Sequence, residues 1–186
     1  MDGLGSDAVV TYRLGPDDGT LSVRTKRTGA AAMAGHNLLI HVTSWAATIE
    51  LGDDTSVALE VDGGSLRVRE GSGGMQALQD EDRENIEQTI DDEVLMGETI
   101  TFRSTEVTPA TGSAGFHVEG ELALNGATRP IAFDLEIAGD GGLGATAVVK
   151  QTDWGMKPYS GLFGALKVVD EVEVGIEGSL PAPQSA

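Results

Sequence analysis

Histidines are the side chains here best suited to proton or metal chemistry, and the chain has three of them. His36 and His41 are five residues apart, an odd interval that sends the two side chains to opposite faces of a strand, so they cannot share a metal ion. His117 alternates with Val118 and takes the outer face. His36 has the parity of Leu38 and Ile40. It either faces inward, to meet a head group or act as the only plausible proton shuttle, or it is a hydrogen-bonded core histidine. No metal site and no catalytic group is assigned from this spacing.

Other reactive patterns are weaker still. Asp80-Glu81-Asp82-Arg83-Glu84-Asn85 places carboxylates as a calcium loop does, but Asn85 stands where that loop needs glycine, so the acids read as the N-terminal end of a helix. Gly139-x-Gly141-x-x-Gly144 has dinucleotide spacing but lies between strands and opens no helix. No Gly-x-Ser-x-Gly elbow occurs, and the absence of cysteine excludes disulfides and thiolate chemistry. General acid–base work needs a carboxyl inside the fold, and the alternation described below puts nearly all of them outside.

One segment stands apart. Lys150 to Lys167 holds three of the four lysines and three of the eight aromatic residues, with Asp153 as its single acid. It is a basic island in an acidic chain, suited to an anionic head group, and Trp154 and Tyr159 suit a boundary between apolar and wet surroundings. Two readings stand: the mouth of a cavity, or a long loop whose lysine stems cover its own aromatics.

The elements that must carry these residues follow from a period of two. Phe116–Leu124, Ile131–Ile137 and Val172–Glu177 alternate apolar residues with carboxylates or small ones, which describes strands with one face inward. Further strands are expected at Ala8–Leu14, Leu21–Thr28, Gly35–Thr43, Trp45–Leu51, Val57–Val61, Leu66–Arg69, Thr99–Val107 and Leu143–Val149. Pro16-Asp17-Asp18-Gly19 reads as the turn of a hairpin joining the first two. Between Ala77 and Leu95 the period changes: Leu78, Ile86, Ile90 and Val94 are spaced by multiples of four, so one helix over about 77–95 interrupts the strands. The expected fold is all-β, an antiparallel barrel with one inserted α-helix, because connections this short cannot make parallel crossovers and closure removes unpaired edges. Residues 8–180 form one domain and 181–186 a flexible tail.

Thirty acidic against twelve basic residues give a net charge of −18, which repels phosphate backbones and argues against a nucleic-acid partner. The first residues lack a basic, then apolar leader, and no stretch approaches the ~20 apolar residues of a membrane span, so the expectation is a cytoplasmic protein without a transmembrane segment. No cofactor is expected; a homodimer is possible.

Four stretches carry a resemblance. Tyr12-Arg13-Leu14-Gly15-Pro16-Asp17, Ile100–Thr105, the strand and turn Val118–Pro130 with its Leu-x-Leu-x-Gly-x-Thr-Arg-Pro pattern, and Val169-Asp170-Glu171-Val172 resemble, in this order, the YceI-like family of lipocalin-like barrels. Lys150-Gln151-Thr152-Asp153-Trp154-Gly155 sits where that family has a basic and aromatic turn. The resemblance implies an antiparallel barrel around an elongated apolar tunnel for a long-chain lipid or isoprenoid. The chain departs from the family in carrying Gly73-Gly74-Met75-Gln76 and an acidic helix in place of an Arg-Asp pair, and its first residues are not expected to act as the export signal that many members carry. Together the readings give a ligand site lined by Leu38, Ile40, Phe102, Phe116, Leu122, Ile131 and Phe133, with Lys150, Trp154, Lys157, Tyr159 and Phe163 at the mouth. The alternatives are a barrel filled by its own side chains that serves as an interaction module, or an enzyme acting on a lipid.

Overall fold

The strands that alternation marks are present, and they pair almost entirely into one antiparallel sheet. The computed structural model describes residues 9–112 and 114–184. In chain order its strands are β1 (Val10–Leu14), β2 (Gly19–Thr25), β3 (Arg27–Thr28), β4 (Asn37–Val42), β5 (Trp45–Leu51), β6 (Ser56–Asp62) and β7 (Leu66–Ser72). The helix α1 (Asp80–Thr89) follows, running on into a π-helical turn, Ile90–Leu95. Then come β8 (Thr99–Pro109), β9 (Gly115–Leu124), β10 (Ala127–Ile137), β11 (Gly142–Lys150), β12 (Ser160–Gly161), β13 (Leu166–Val168) and β14 (Glu171–Ser179).

Eleven strands form the main sheet in the order β1-β5-β6-β8-β9-β10-β11-β14-β2-β4-β7, and β12-β13-β3 make a small second one. The large sheet curls into a half-barrel of lipocalin-like form. Its two sides are tied by the chain itself, since β4, next to the edge strand β7, and β5, next to the edge strand β1, have only Thr43 and Ser44 between them. The corner is stitched to its neighbour by side chains. Thr43 donates to the Ser65 carbonyl from both N–H (3.0 Å) and Oγ1 (2.9 Å), and the buried Ser65 hydroxyl donates to the Asp62 carbonyl at 2.8 Å. Bulges at Leu39/Ile40 and Ser104/Glu106 add the local twist that curling requires.

One expectation is corrected. β1 and β2 do not form a hairpin: β1 pairs with β5, and β2 with β14 and β4. The Gly15–Asp18 turn is present, with Asp18 N–H donating to the Gly15 carbonyl at 3.0 Å, but it is a corner that carries the chain from β1 to β2, which lie apart in the sheet. In the expected tail, Gln184 N–H donates to the Thr11 carbonyl at 2.9 Å, which brings that residue against β1. The expected strand start at Ala8 and the end of the expected tail, Ser185 and Ala186, lie outside the described residues.

The helix covers what would otherwise be an open edge. Val68 N–H on β7 donates to Glu87 Oε1 at 2.7 Å, and the Arg83 guanidinium donates to the Arg69 carbonyl, so α1 supplies partners that no neighbouring strand offers. Asp80, Glu81 and Asp82 occupy its first turn, where the helix dipole favours acids. Gln79 N–H is capped by Asp82 Oδ2 at 2.9 Å. Among the described residues, no helix is long and apolar enough to cross a membrane.

Candidate functional site

The inward face of the curled sheet does not close on itself. It encloses a cavity of about 820 Å³. Leu38 and Ile40 of β4, Phe102 of β8, Leu122 of β9, and Ile131 and Phe133 of β10 all border it. Alternation turns these side chains inward, yet Leu38, Leu122, Ile131 and Phe133 are only partly buried, because the surface they keep faces the cavity rather than solvent outside. The Phe102 and Phe133 rings pack tilted at 56° with centroids 5.3 Å apart, a favourable edge-rich geometry. Gly120 makes room for this pair: a Cβ there would stand 2.5 Å from the tip of the Phe102 ring. The helix completes the wall, since Leu78, Ile86, Ile90 and Val94, the residues spaced by multiples of four, all face the same cavity.

One end is polar and open. The turn Ala32–Ala34, the loop after β7 and the β12–β13 hairpin meet there, joined by Ala31 N–H to the Ala165 carbonyl (2.8 Å), Met75 N–H to the Met33 carbonyl (3.1 Å) and the Lys167–Thr28 pairing. Arg27, His36, Tyr159 and Lys167 border the cavity at this mouth. Arg27 donates to the Gly35 carbonyl at 2.7 Å, so its guanidinium is fixed rather than waving in solvent. His36 Nε2 pairs with the Gln76 carbonyl at 2.7 Å, so it is hydrogen-bonded yet half-buried at the mouth rather than a core histidine. Glycine is required beneath it, as a Cβ at Gly74 would stand 2.3 Å from that nitrogen.

The candidate residues divide accordingly. Leu38, Ile40, Phe102, Leu122, Ile131, Phe133 and Tyr159 border the cavity; Phe116, Lys150, Trp154, Lys157 and Phe163 do not. Phe116 lies at the start of β9, opposite Leu135 and Pro109, and packs against the core. Trp154 is buried, not at the mouth. Its Nε1–H donates to the Leu122 carbonyl at 2.9 Å, and its ring joins Leu124, Val149 and Met156 in a second apolar cluster. Lys150 and Lys157 are exposed away from the cavity, and Phe163 projects fully into solvent. Sequence reading missed Arg27, Met33, Met75 and Lys167 as mouth residues. Lys167 lay in the basic segment and was legible there, whereas no local pattern marks the other three.

Ionisable groups with displaced pKa values lie outside the cavity. The Asp134 carboxylate, 2.7 Å from His117 Nδ1, holds that imidazole above its ordinary pKa. Burial, followed by the charge of Arg69, lowers that of His41. Hydrogen bonds from the Thr152 hydroxyl and N–H hold Asp170 below the usual carboxylate range. Among the described residues, no group of three or more His, Asp or Glu side chains converges as metal ligands.

A curled antiparallel sheet of this order, around an apolar cavity with a helix across it, defines a lipocalin-like barrel. The chain belongs to the YceI-like domain family, which matches residues 12–180. Its fold is similar to that of Burkholderia cenocepacia BcnA, with a TM-score of 0.61 at 14% identity over 86% of this chain and 94% of that one. The Campylobacter jejuni YceI protein gives 0.56 at 14% identity over 79% and 85%. A polyisoprenoid binding domain from Saccharophagus degradans, implicated in plant cell wall breakdown, gives 0.50 at 10% identity over 92% and 99%. Among curated protein sequences, none matches the chain.

Proposed function

We propose that this protein binds a long apolar molecule, a polyisoprenoid, quinone or acyl lipid, with its chain along the cavity and its polar end at the mouth. The observation that carries the reading is the unfilled interior: about 820 Å³ bordered by inward apolar side chains that still have accessible surface, a volume within the usual range of ligand pockets. Membership of the YceI-like family and the likeness to a polyisoprenoid binding domain support it. Affinity then comes from burial of the chain, at about 0.8 kcal/mol per methylene, while Arg27 and Lys167 favour an anionic or phosphorylated head. The action is binding without turnover. Arg27, His36, Asp82, Tyr159 and Lys167 are the titratable residues bordering the cavity, and they lie at the mouth or on the helix rather than where a buried chain would run.

Native mass spectrometry of the purified protein, followed by organic extraction, tests this directly. A stoichiometric isoprenoid, quinone or acyl chain is expected, retained in His36→Gln. A mass equal to the bare chain, unchanged after incubation with a lipid extract, would sink the proposal.

A further inference from the structure

The loops around the mouth expose large apolar side chains that a soluble surface would ordinarily cover. Phe163 is fully exposed, Met75 72%, Met33 60% and Leu162 56%. This exposure is built in. Leu162 and Phe163 both take left-handed backbone, with φ of 49° and 55°, which residues bearing a Cβ adopt reluctantly. The turn between β12 and β13 thus accepts strain while holding a leucine and a phenylalanine outward. That turn is hydrogen-bonded to the turn carrying Met33, which is in turn hydrogen-bonded to Met75, so Leu162 and Phe163 stand on the turn next to the two methionines that border the opening.

Cations accompany them. The Lys167 stem runs beside the turn, its Cε 3.9 Å from where a Cβ of Gly164 would stand. The Arg27 guanidinium lies against Gly73, in the loop that leads to Met75. Apolar tips flanked by cations are unexpected on a chain of net charge −18, and they occur where the cavity opens.

We propose that this rim docks on the surface of an anionic lipid bilayer. Leu162, Phe163, Met33 and Met75 enter the interface, and Lys167 and Arg27 meet the phosphate layer, so that the mouth opens toward the acyl chains. The acidic remainder of the molecule is repelled by the same surface, which orients the approach. Asp82 borders the cavity from the helix, and this places the contact on the β12–β13 side. A second copy fits the rim less well. A two-fold contact sets each patch against itself, bringing Lys167 and Arg27 toward their own counterparts. That docking serves ligand exchange rests on the reading above; the docking itself does not.

Co-sedimentation with vesicles of phosphatidylcholine alone and of phosphatidylcholine mixed with phosphatidylglycerol decides it. The protein is expected to bind the mixed vesicles, less so as salt is raised, and the neutral ones weakly. Leu162→Asn with Phe163→Asn, chosen because asparagine tolerates left-handed backbone, loses on the order of tenfold or more in vesicle affinity. Lys167→Gln loses about fivefold, on mixed vesicles only. Extracted ligand stays at the wild-type level in the Asn variant, which separates docking from binding; docking with no ligand in either protein would sink the ligand reading alone. Failure of the wild type to sediment with either vesicle, or wild-type sedimentation of the Asn variant, overturns the proposal. So does a dimer in light scattering that the Asn substitutions dissolve, with no vesicle binding.

Discussion

Filling the cavity from within separates its occupancy from the stability of the barrel. Ala47 on β5 is buried, borders the cavity, and lies in register between Leu14 and Leu59. Ala47→Phe projects a ring into open space, where it gains contacts without displacing backbone, so stability is expected to hold within about 1 kcal/mol or to rise slightly. The ring takes the room of roughly four methylenes of a bound chain. At about 0.8 kcal/mol each this is about 3 kcal/mol, on the order of a hundredfold in Kd. Ala47→Val, displacing one or two methylenes, loses about fivefold to tenfold. The assay is displacement of a fluorescent fatty-acid or isoprenoid probe, with thermal melting in parallel to confirm the fold. If Ala47→Phe melts like the wild type and keeps its Kd within about threefold, the apolar chain does not lie in the cavity.

Trp154→Phe keeps an aromatic ring but leaves the Leu122 carbonyl without its 2.9 Å donor; denaturant unfolding is expected to show a loss of about 1–3 kcal/mol, with probe affinity unchanged because the indole does not border the cavity. Val118, with no accessible surface, supports the core away from the ligand, so Val118→Ala lowers stability by about 2 kcal/mol in the same measurement. His117 should titrate above 6.5 by NMR, since Asp134 favours its charged form, and Asp134→Asn should return it toward that value. Raised in the folded state, the His117 pKa makes its pairing with Asp134 fully stabilising below the unfolded pKa, and that contribution fades as pH rises through the folded one.

Alternation sufficed for the strand faces because it is a property of one strand: whichever neighbours β9 and β10 acquire, Leu122, Ile131 and Phe133 share the face opposite Glu121, Ala132 and Asp134. The spacing of Leu78, Ile86, Ile90 and Val94 was equally local, and it placed the helix against the interior. Tertiary structure decided the rest. Pro16-Asp17-Asp18-Gly19 has the same turn chemistry in a hairpin as in a corner, and only pairing with β5 and β14, strands distant in sequence, made it a corner. Trp154 and Phe163 come from one basic and aromatic segment, yet the first is inside and the second in solvent, because a distant carbonyl on β9 receives the indole N–H while a left-handed turn projects the phenylalanine. Whether inward side chains fill a barrel or leave a cavity depends on its circumference. That is set by how many strands join and with what bulges, a sum over contacts that no single stretch of sequence encodes.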